Sequence, residues 1–368
     1  MNVNLFSVSF VILLACFLGG KDSKNNRRIY IYLCSAVLLF IAAMRSPEWT
    51  ANNYGIDTLS YKDFFESSFD MSWDELWTMA YMRYFGHAEE GDIGFTGFVK
   101  LIGLFTHDFA IYSLIADLVF FIPFGVLLYR YCDRIIQITF AFVFYIALIQ
   151  VFFLGGGRQM FAIGFDLMAL LALFDNRKPR VVVFALLAIS IHLSAFLFVI
   201  PLLLISSDVK AKLLKKAHLL CLLLSPIVLA FPNLIIVFMG ESIGSEKYAN
   251  YGKGAIAGGA ETFIVLILLL SVFCYIAIKK NNLIQNDVLR KFYVMAPMMT
   301  FFAPLIRSNG TMIRISLYYH LFIVLLVPYA IDCMLVNDRK IGYIMAIVAL
   351  TGLILMNSGI EYYFFWQR

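Results

Sequence analysis

The sequence predicts an all-α, polytopic integral membrane protein with about 11–12 transmembrane helices. Hydrophobic residues make up 62% of the chain and charged residues only 14%, whereas a soluble domain is about one quarter charged. Several apolar runs reach or approach the length of about 20 residues that a helix needs to cross a membrane. The period-two alternation of a lipid-embedded barrel is missing from these runs, so the backbone groups must be satisfied within helices.

The sides of the first five predicted spans follow from the basic loops, because cytoplasmic loops retain Lys and Arg. These spans lie near residues 5–20, 29–44, 109–129, 135–154 and 158–174. With the N-terminus outside, three basic loops lie inside: Lys21 to Arg28, Arg130 to Arg134 and Arg177 to Arg180. The first helix is expected to remain in the membrane, because its basic residues follow the apolar run instead of preceding it.

The next apolar run, Val181 to Ser206, conflicts with this sorting if it is one span. It would place Lys210, Lys212, Lys215 and Lys216 outside. Two short helices that enter and return remove the conflict, with His192 and Ser194 near an outer turn, because short helices are tolerated where protein covers them. Further spans are then expected near 217–239, 261–278, 292–306, 315–335 and 341–358.

With this topology, the candidate chemistry lies on the outer side of the membrane. We expect a single transmembrane domain over residues 1–368, with long outer loops near 45–107 and 240–260 and with both termini outside. No repeat, linker or low-complexity tract divides the chain.

Four arginines stand where predicted helices meet the outer face: Arg45, Arg158, Arg307 and Arg314. A lone arginine at such a boundary usually extends its charge to the lipid headgroups. A group of four arginines would also suit a binding site for a lipid diphosphate. Each guanidinium can donate two parallel hydrogen bonds to phosphate oxygens, and it keeps its charge when desolvated. The stretch from Gly155 to Gln159 is either an anion-binding helix start or a tight turn between helices.

Histidine and acidic residues supply candidates for acid–base chemistry. His192 lies in an apolar run, where it is either a hydrogen-bonded packing residue or a general base. Asp57 stands one helical turn before Tyr61, and carboxylates beside aromatic rings are typical of sugar sites. Glu90 and Asp92 belong to a second acidic group, which is equally typical of a solvated loop.

Together, the ordered motifs resemble the EpsG family of Wzy-type polysaccharide polymerases. The resemblance runs from about residue 45 to 320 and rests on six elements in order: Arg45, Gly55-x-Asp57-x-x-x-Tyr61, Asp92-x-Gly94-Phe95, Arg158-Gln159, His192-x-Ser194-Ala195 and Arg314-x-x-x-Tyr318-Tyr319. The family's second acidic element usually carries a glutamate, so either Glu90 or Asp92 corresponds to it.

The resemblance implies an architecture like that of GT-C membrane glycosyltransferases and a bacterial cytoplasmic membrane location. It implies transfer of a glycan from undecaprenyl diphosphate to a new lipid-linked repeat unit, yielding O-antigen, capsule or exopolysaccharide. The implied partners are this lipid-linked oligosaccharide, the bilayer, and a flippase and chain-length regulator of the same pathway, with no nucleic acid.

The expected mechanism is an inverting glycosyl transfer without a cofactor or metal, since no ligand cluster stands out in the sequence. Asp57 or His192 would be the base. Substrate contacts are expected from the remaining candidates: Arg45, Tyr61, Glu90, Asp92, Arg158, Gln159, Arg307, Arg314 and Tyr318.

Two other functions suit the same outer surface. A flippase for the lipid-linked sugar would also use membrane arginines, although inverted repeats would favour it more. A transferase that adds one sugar from a polyprenyl phosphate would use paired acids in the first outer loop. A deletion strain distinguishes the flippase, because loss of a polymerase leaves single repeat units displayed outside and loss of a flippase leaves none. The length of the product distinguishes the single-sugar transferase, which adds one sugar instead of making a ladder.

Overall fold

The structure is helical along nearly all of its length and confirms the predicted all-α membrane fold. It is a computed structural model, and it describes residues 2–20, 22–47, 56–85, 92–151, 157–242, 250–253, 261–281, 287–309, 312–356, 362–364 and 366. Within these residues, β-type backbone pairing is limited to an isolated antiparallel bridge between Arg45 and Phe364.

Tertiary contacts divide the chain into two compact units. The first unit contains Met1–Val199 and Ile347–Arg368, and the second contains Ile200–Ala346. The prediction of a single transmembrane domain stays a prediction, and each unit is described by itself below.

The first unit contains short helices in the segment that the sequence assigned to an outer loop, and its helices elsewhere are longer except for α7. Its helices are α1 (Val3–Leu18), α2 (Lys24–Ala43), α3 (Ile56–Ser67), α4 (Trp73–Tyr84), α5 (Ile93–Gly103), α6 (Phe109–Tyr131), α7 (Ile135–Phe144), α8 (Gly157–Phe174) and α9 (Lys178–Ile191). A π-helical segment, Tyr145–Ile149, continues α7.

The helices of the second unit are interrupted more often. They are α11 (Ala211–Ala230), α12 (Pro232–Ser242), α13 (Glu261–Asn281), α14 (Asp287–Tyr293), α15 (Met295–Phe302), α16 (Met312–His320) and α17 (Ile323–Met334). Two further helices run across the boundary between the units, namely α10 (Phe196–Ser206) and α18 (Arg339–Met356).

Six described helices are long and apolar enough to cross a membrane, namely α2, α6, α8, α11, α13 and α18. Helices α16 and α17, bent by 47° at their junction, form a seventh candidate if they are one span. Shorter apolar helices, including α1 and α7, accompany them. The chain is therefore a polytopic membrane protein, while the exact number of spans stays a prediction.

One end of the first unit gathers the turns that the sequence analysis assigned to the inner side. The Asp22 carboxylate accepts a hydrogen bond of 2.8 Å from the backbone of Ile135, and Arg130 pairs with Asp175 at 2.8 Å. The hydrogen bond from Arg130 lowers the pKa of the Asp175 carboxyl. Because α2 and α9 begin at this end, Arg45 and His192, which follow them, lie at the opposite end.

The apolar run Val181 to Ser206 is broken where the sequence predicted a turn. Helix α9 ends at Ile191, His192 is extended, and a 3₁₀ turn over Leu193–Ala195 leads into α10. At about 1.5 Å per residue, each helix is too short to cross a hydrocarbon layer of about 30 Å alone. The break is confirmed, while the return of the chain to the same side stays a prediction.

A buried hydrogen-bonded chain joins four helices of the second unit. His218 of α11 is 2.6 Å from the Tyr293 hydroxyl through Nδ1 and 2.7 Å from the Ser271 hydroxyl through Nε2. Ser271 in turn contacts the hydroxyl of Thr300, which donates to the Ala296 carbonyl at 2.7 Å. Such a chain fixes the relative positions of its helices because every polar member needs its partner.

We expect His218→Leu to destabilise the protein by about 2–4 kcal/mol, because it strands the Tyr293 and Ser271 hydroxyls in an apolar interior. The measurement is the unfolding free energy in mixed micelles. His107→Leu is the control, since His107 is solvent-exposed and stacks on Phe69. Equal stability of the two variants would contradict a structural role for the buried chain.

Candidate functional site

The residue at the centre of the candidate site is Asp92, which directly precedes helix α5. It occupies the N-cap position, where an aspartate commonly accepts hydrogen bonds from the first helical N–H groups. Here the side chain makes no capping hydrogen bond. Its carboxylate points to other helices instead, while the positive end of the helix dipole still favours its negative charge.

Asp92 brings together two residues that are distant in sequence. Its Oδ2 accepts a hydrogen bond of 3.0 Å from Nη1 of Arg158, in the first turn of α8. The same Oδ2 lies 3.4 Å from Nδ1 of His192, just beyond the end of α9. The side chains of Asp92, His192 and Arg158 are 16%, 21% and 39% exposed, so all three are partly accessible to a ligand.

Aromatic rings form one wall of this site. The guanidinium carbon of Arg158 lies 5.8 Å from the centre of the Tyr61 ring and 5.7 Å from that of Phe95. These two rings contact each other edge to face at 5.8 Å. Both distances to Arg158 fall within the range of cation–π attraction. We call Asp92, Arg158, His192, Tyr61 and Phe95 the Asp92 site.

A close helix contact sets the distance between Asp92 and His192. Gly94, in the first turn of α5, lies against Ser190 at the end of α9. A Cβ atom added at Gly94 would lie 2.7 Å from the backbone carbonyl carbon of Ser190. Cβ atoms in proteins essentially never come this close to another heavy atom. Glycine is therefore required here by a close approach of backbone to backbone.

The other predicted site residues of the first unit occupy different environments. Asp57 lies in the first turn of α3 and acts electrostatically on Arg158. Gln159 is buried in α8. Glu90 lies outside the described residues, so its predicted role stays a prediction.

Arg45, predicted at the outer membrane boundary, is inside the protein. It is 5% exposed, its Nη1 donates a hydrogen bond of 3.3 Å to the Ala42 carbonyl, and its backbone pairs with Phe364. The buried carboxylate of Asp117, in α6, lies within electrostatic range of it.

Three tyrosines lie within electrostatic range of these two charges: Tyr112, Tyr145 and Tyr362. Burial raises the pKa of the Tyr362 hydroxyl, which Arg45 counteracts in part. The hydroxyl donates to the Ile41 carbonyl, which ties the C-terminal segment to α2. We call Arg45, Asp117 and the three tyrosines the Arg45 cluster.

Arg307, Arg314 and Tyr318 belong to the second unit. Nη1 of Arg307 donates a hydrogen bond of 2.9 Å to the Leu229 carbonyl, Arg314 is half-buried, and Tyr318 is buried. Their predicted contribution to diphosphate binding stays a prediction.

Sequence reasoning named the polar members of the Asp92 site but did not predict how they connect. It assigned Asp92 to substrate binding, whereas the structure places it against His192 and Arg158 at once. Arg158 pairs with Asp92, while Oδ2 of Asp166, eight residues further along the sequence, has no hydrogen-bond partner among the described residues. The spacing of Asp92 and Gly94 was the available signal for a close helix contact.

Metal coordination has no candidate in the described part of the chain. No group of three or more His, Cys, Asp or Glu side chains there is arranged to hold an ion.

Comparison with known proteins identifies the family. The family model described as "EpsG family" matches residues 28–366, which is nearly the whole chain. This match confirms the resemblance drawn from the motifs. No curated protein and no solved structure matches the chain.

Proposed function

The chain belongs to the EpsG family, and from that membership and the Asp92 site we propose that it polymerises lipid-linked oligosaccharide repeat units. The family itself indicates a role in polysaccharide polymerisation. The finer proposal is transfer of a growing glycan from undecaprenyl diphosphate to the next lipid-linked unit. The single observation that carries it is the contact of Asp92 with both Arg158 and His192.

His192 is arranged as a general base, and Asp92 is the group that orients its imidazole ring. When Nδ1–H of His192 donates to Oδ2 of Asp92, the lone pair of the imidazole lies on Nε2. A nearby carboxylate also stabilises the imidazolium that forms when Nε2 takes a proton, as in other base–carboxylate pairs. We therefore assign the base role to His192, and keep Asp57 as the alternative base.

Arg158 is suited to the leaving diphosphate. A guanidinium has five N–H donors, and Nη1 supplies the one given to Asp92. Donors thus remain for phosphate oxygens, and aromatic rings on one side of the guanidinium limit its movement. Positive charge fixed at the place where negative charge develops lowers the barrier without reorganisation.

The reaction step can be written in full. The acceptor hydroxyl oxygen attacks the anomeric carbon of the donor glycan, and a new glycosidic C–O bond forms. The bond between that carbon and the diphosphate oxygen breaks, and undecaprenyl diphosphate leaves with the electron pair. The hydroxyl proton passes to Nε2 of His192 and from there to water. Attack from the face opposite the leaving group inverts the anomeric configuration.

The proposed location is the outer face of a bacterial cytoplasmic membrane, with a flippase supplying the repeat units and a regulator setting chain length. One structural observation, combined with the usual distribution of basic residues in membrane proteins, supports this side. The basic turns of the first unit lie at the end opposite the Asp92 site, and cytoplasmic loops retain such residues.

The test uses purified protein in nanodiscs with a defined undecaprenyl-diphosphate repeat unit, with and without chelator. We expect a ladder of products that differ by one repeat unit, formed equally in both conditions. Addition of one sugar would instead identify a single-sugar transferase. Movement of the substrate across liposomes without any new linkage would identify a flippase.

Arg158→Lys tests the proposed diphosphate contact. Lysine keeps the charge but loses the planar fork, so we expect KM for the lipid-linked donor to rise by about tenfold. Arg130→Lys is the matched control, because Arg130 forms a similar ion pair with Asp175 at the opposite end of the unit. If Arg158→Lys leaves KM unchanged, the proposal that Arg158 binds the diphosphate through two parallel hydrogen bonds is wrong.

A further inference from the structure

A groove on the surface of the first unit runs between the membrane helices α2 and α6. Its volume is about 590 Å³, within the range of about 300–1,000 Å³ that small-molecule sites occupy. Small residues on both helices, Ala36 and Gly125, leave this space open. The walls beside them are apolar and include Leu39, Phe121, Ile122 and Val126. A groove of this composition suits a hydrocarbon chain.

The groove is about as long as one leaflet of a bilayer is deep. It extends from Arg28 to Leu39 on α2 and from Tyr129 to Leu118 on α6. Each stretch rises by about 16 Å at about 1.5 Å per residue, and half of a hydrocarbon layer is about 15 Å. Because α2 begins and α6 ends at the end of the unit with the basic turns, the groove starts there and reaches about the middle of the membrane.

Arg28 stands at the start of the groove, and Tyr32 holds its guanidinium in place. Nε of Arg28 donates a hydrogen bond of 3.0 Å to the Tyr32 hydroxyl, and the guanidinium carbon lies 5.3 Å from the centre of the Tyr32 ring. Nη1 and Nη2 make no hydrogen bond or ion pair with any described residue. The adjacent Arg27, by contrast, donates to the Cys132 carbonyl. Arg28 therefore presents two donor groups at the mouth of an apolar groove.

Two tyrosines mark the level at which this mouth lies in the membrane. Tyr32 and Tyr129 are both exposed and face the groove from opposite helices. Tyrosine is enriched where lipid headgroups meet the hydrocarbon layer. The guanidinium of Arg28 is thus placed at the depth of the lipid phosphates, with the apolar groove leading inward from it.

We propose that the groove binds one anionic phospholipid, with an acyl chain between α2 and α6 and the phosphate at Arg28. Every membrane helix contacts lipid, so the apolar walls alone select no ligand. The guanidinium does select one, because it donates two parallel hydrogen bonds to phosphate oxygens and favours a headgroup with net negative charge. Basic pockets between membrane helices bind anionic headgroups in this way.

The position of Arg28 distinguishes this lipid from the substrate of the proposed reaction. The Asp92 site, where the polyprenyl diphosphate is proposed to bind, lies at the opposite end of the unit. A chain that starts at Arg28 enters the other leaflet, which the proposed orientation makes the cytoplasmic one. The lipid site does not depend on the proposed function, since none of its residues takes part in glycan transfer.

The experiment measures the binding of dioleoylphosphatidylglycerol and dioleoylphosphatidylcholine to the detergent-solubilised protein by native mass spectrometry. These lipids have the same chains and differ in the net charge of the headgroup. We expect the anionic lipid to bind about fivefold more tightly, the usual effect of one arginine near a lipid surface. Arg28→Gln should remove this preference. Arg180→Gln is the matched control, because Arg180 is also exposed at this end of the unit but does not line the groove.

A second variant tests the place of the acyl chain. Ala36→Phe puts an aromatic ring into the groove, and we expect it to weaken binding of both lipids by about tenfold through steric exclusion. Leu33→Phe adds a ring at an exposed position of the same helix outside the groove, and should have no effect. If Ala36→Phe does not fold, Val126→Phe on the facing wall replaces it, with the same expected result.

Several outcomes would overturn the proposal. Equal affinity for the two lipids, or an equal loss of preference in Arg180→Gln, would show that Arg28 selects no headgroup. Unchanged binding in the groove-filling variant would place the acyl chain elsewhere. A dimer that this variant dissociates would identify a second copy of the chain as the occupant, and displacement of the bound lipid by undecaprenyl phosphate would assign the groove to a polyprenyl chain.

Discussion

Replacing His192 with alanine is expected to lower the rate of chain extension by about two to four orders of magnitude, the usual contribution of a positioned general base. The acceptor hydroxyl would then have to lose its proton to water. KM for the lipid-linked donor should change little, because Arg158 and Tyr61 remain. The measurement is the initial rate of ladder formation across a range of pH.

Two comparisons make the His192 result specific. His107→Ala changes a histidine of the same unit that stacks on Phe69 and does not contact Asp92, and it should retain the normal rate. Asp92→Asn keeps the shape of the side chain but loses its charge, so it should lower kcat and also weaken the contact with Arg158. If His192→Ala showed normal turnover at every pH, the base would have to be Asp57.

The sequence predicted the helical membrane fold because hydropathy and charge report directly on the cost of placing residues in a bilayer. The same reasoning located the break in Val181 to Ser206, since the basic residues near Lys210 did not suit a single span. Both correct predictions concern where helices and breaks lie along the chain. The pattern carries no information about which helices pack together.

The candidate site was harder to predict for the same reason. Arg158 and His192 were named from their residue types, but their common contact with Asp92 depends on the packing of α5 against α8 and α9. Arg45 shows the reverse problem. A boundary arginine normally extends toward headgroups, and only the structure shows that Arg45 is buried and that its backbone pairs with Phe364 of the C-terminal segment.

A single methyl group at Gly94 should disrupt the Asp92 site without removing any of its polar atoms. In Gly94→Ala the new Cβ would clash with the backbone of Ser190, so α5 must move away from α9. Asp92 would move with α5, and its 3.4 Å contact with His192 would lengthen. Misplacement of reacting groups by about 1 Å can lower a rate by about one hundredfold, and we expect a loss of that size in kcat.

Gly97→Ala separates this effect from a general cost of substituting glycine in α5. Gly97 lies one turn further along the same helix, and a Cβ added there would meet Cδ2 of Leu76 at 3.7 Å, an ordinary contact. Alanine is also the better helix former, so this variant should be as stable as the unmodified protein or slightly more stable. Equal rates for the two variants would show that close packing of α5 on α9 does not set the geometry of Asp92 and His192. A selective loss in Gly94→Ala would mean that the glycine of the Asp92-x-Gly94-Phe95 motif is required for the position of the carboxylate and not for the flexibility of a loop.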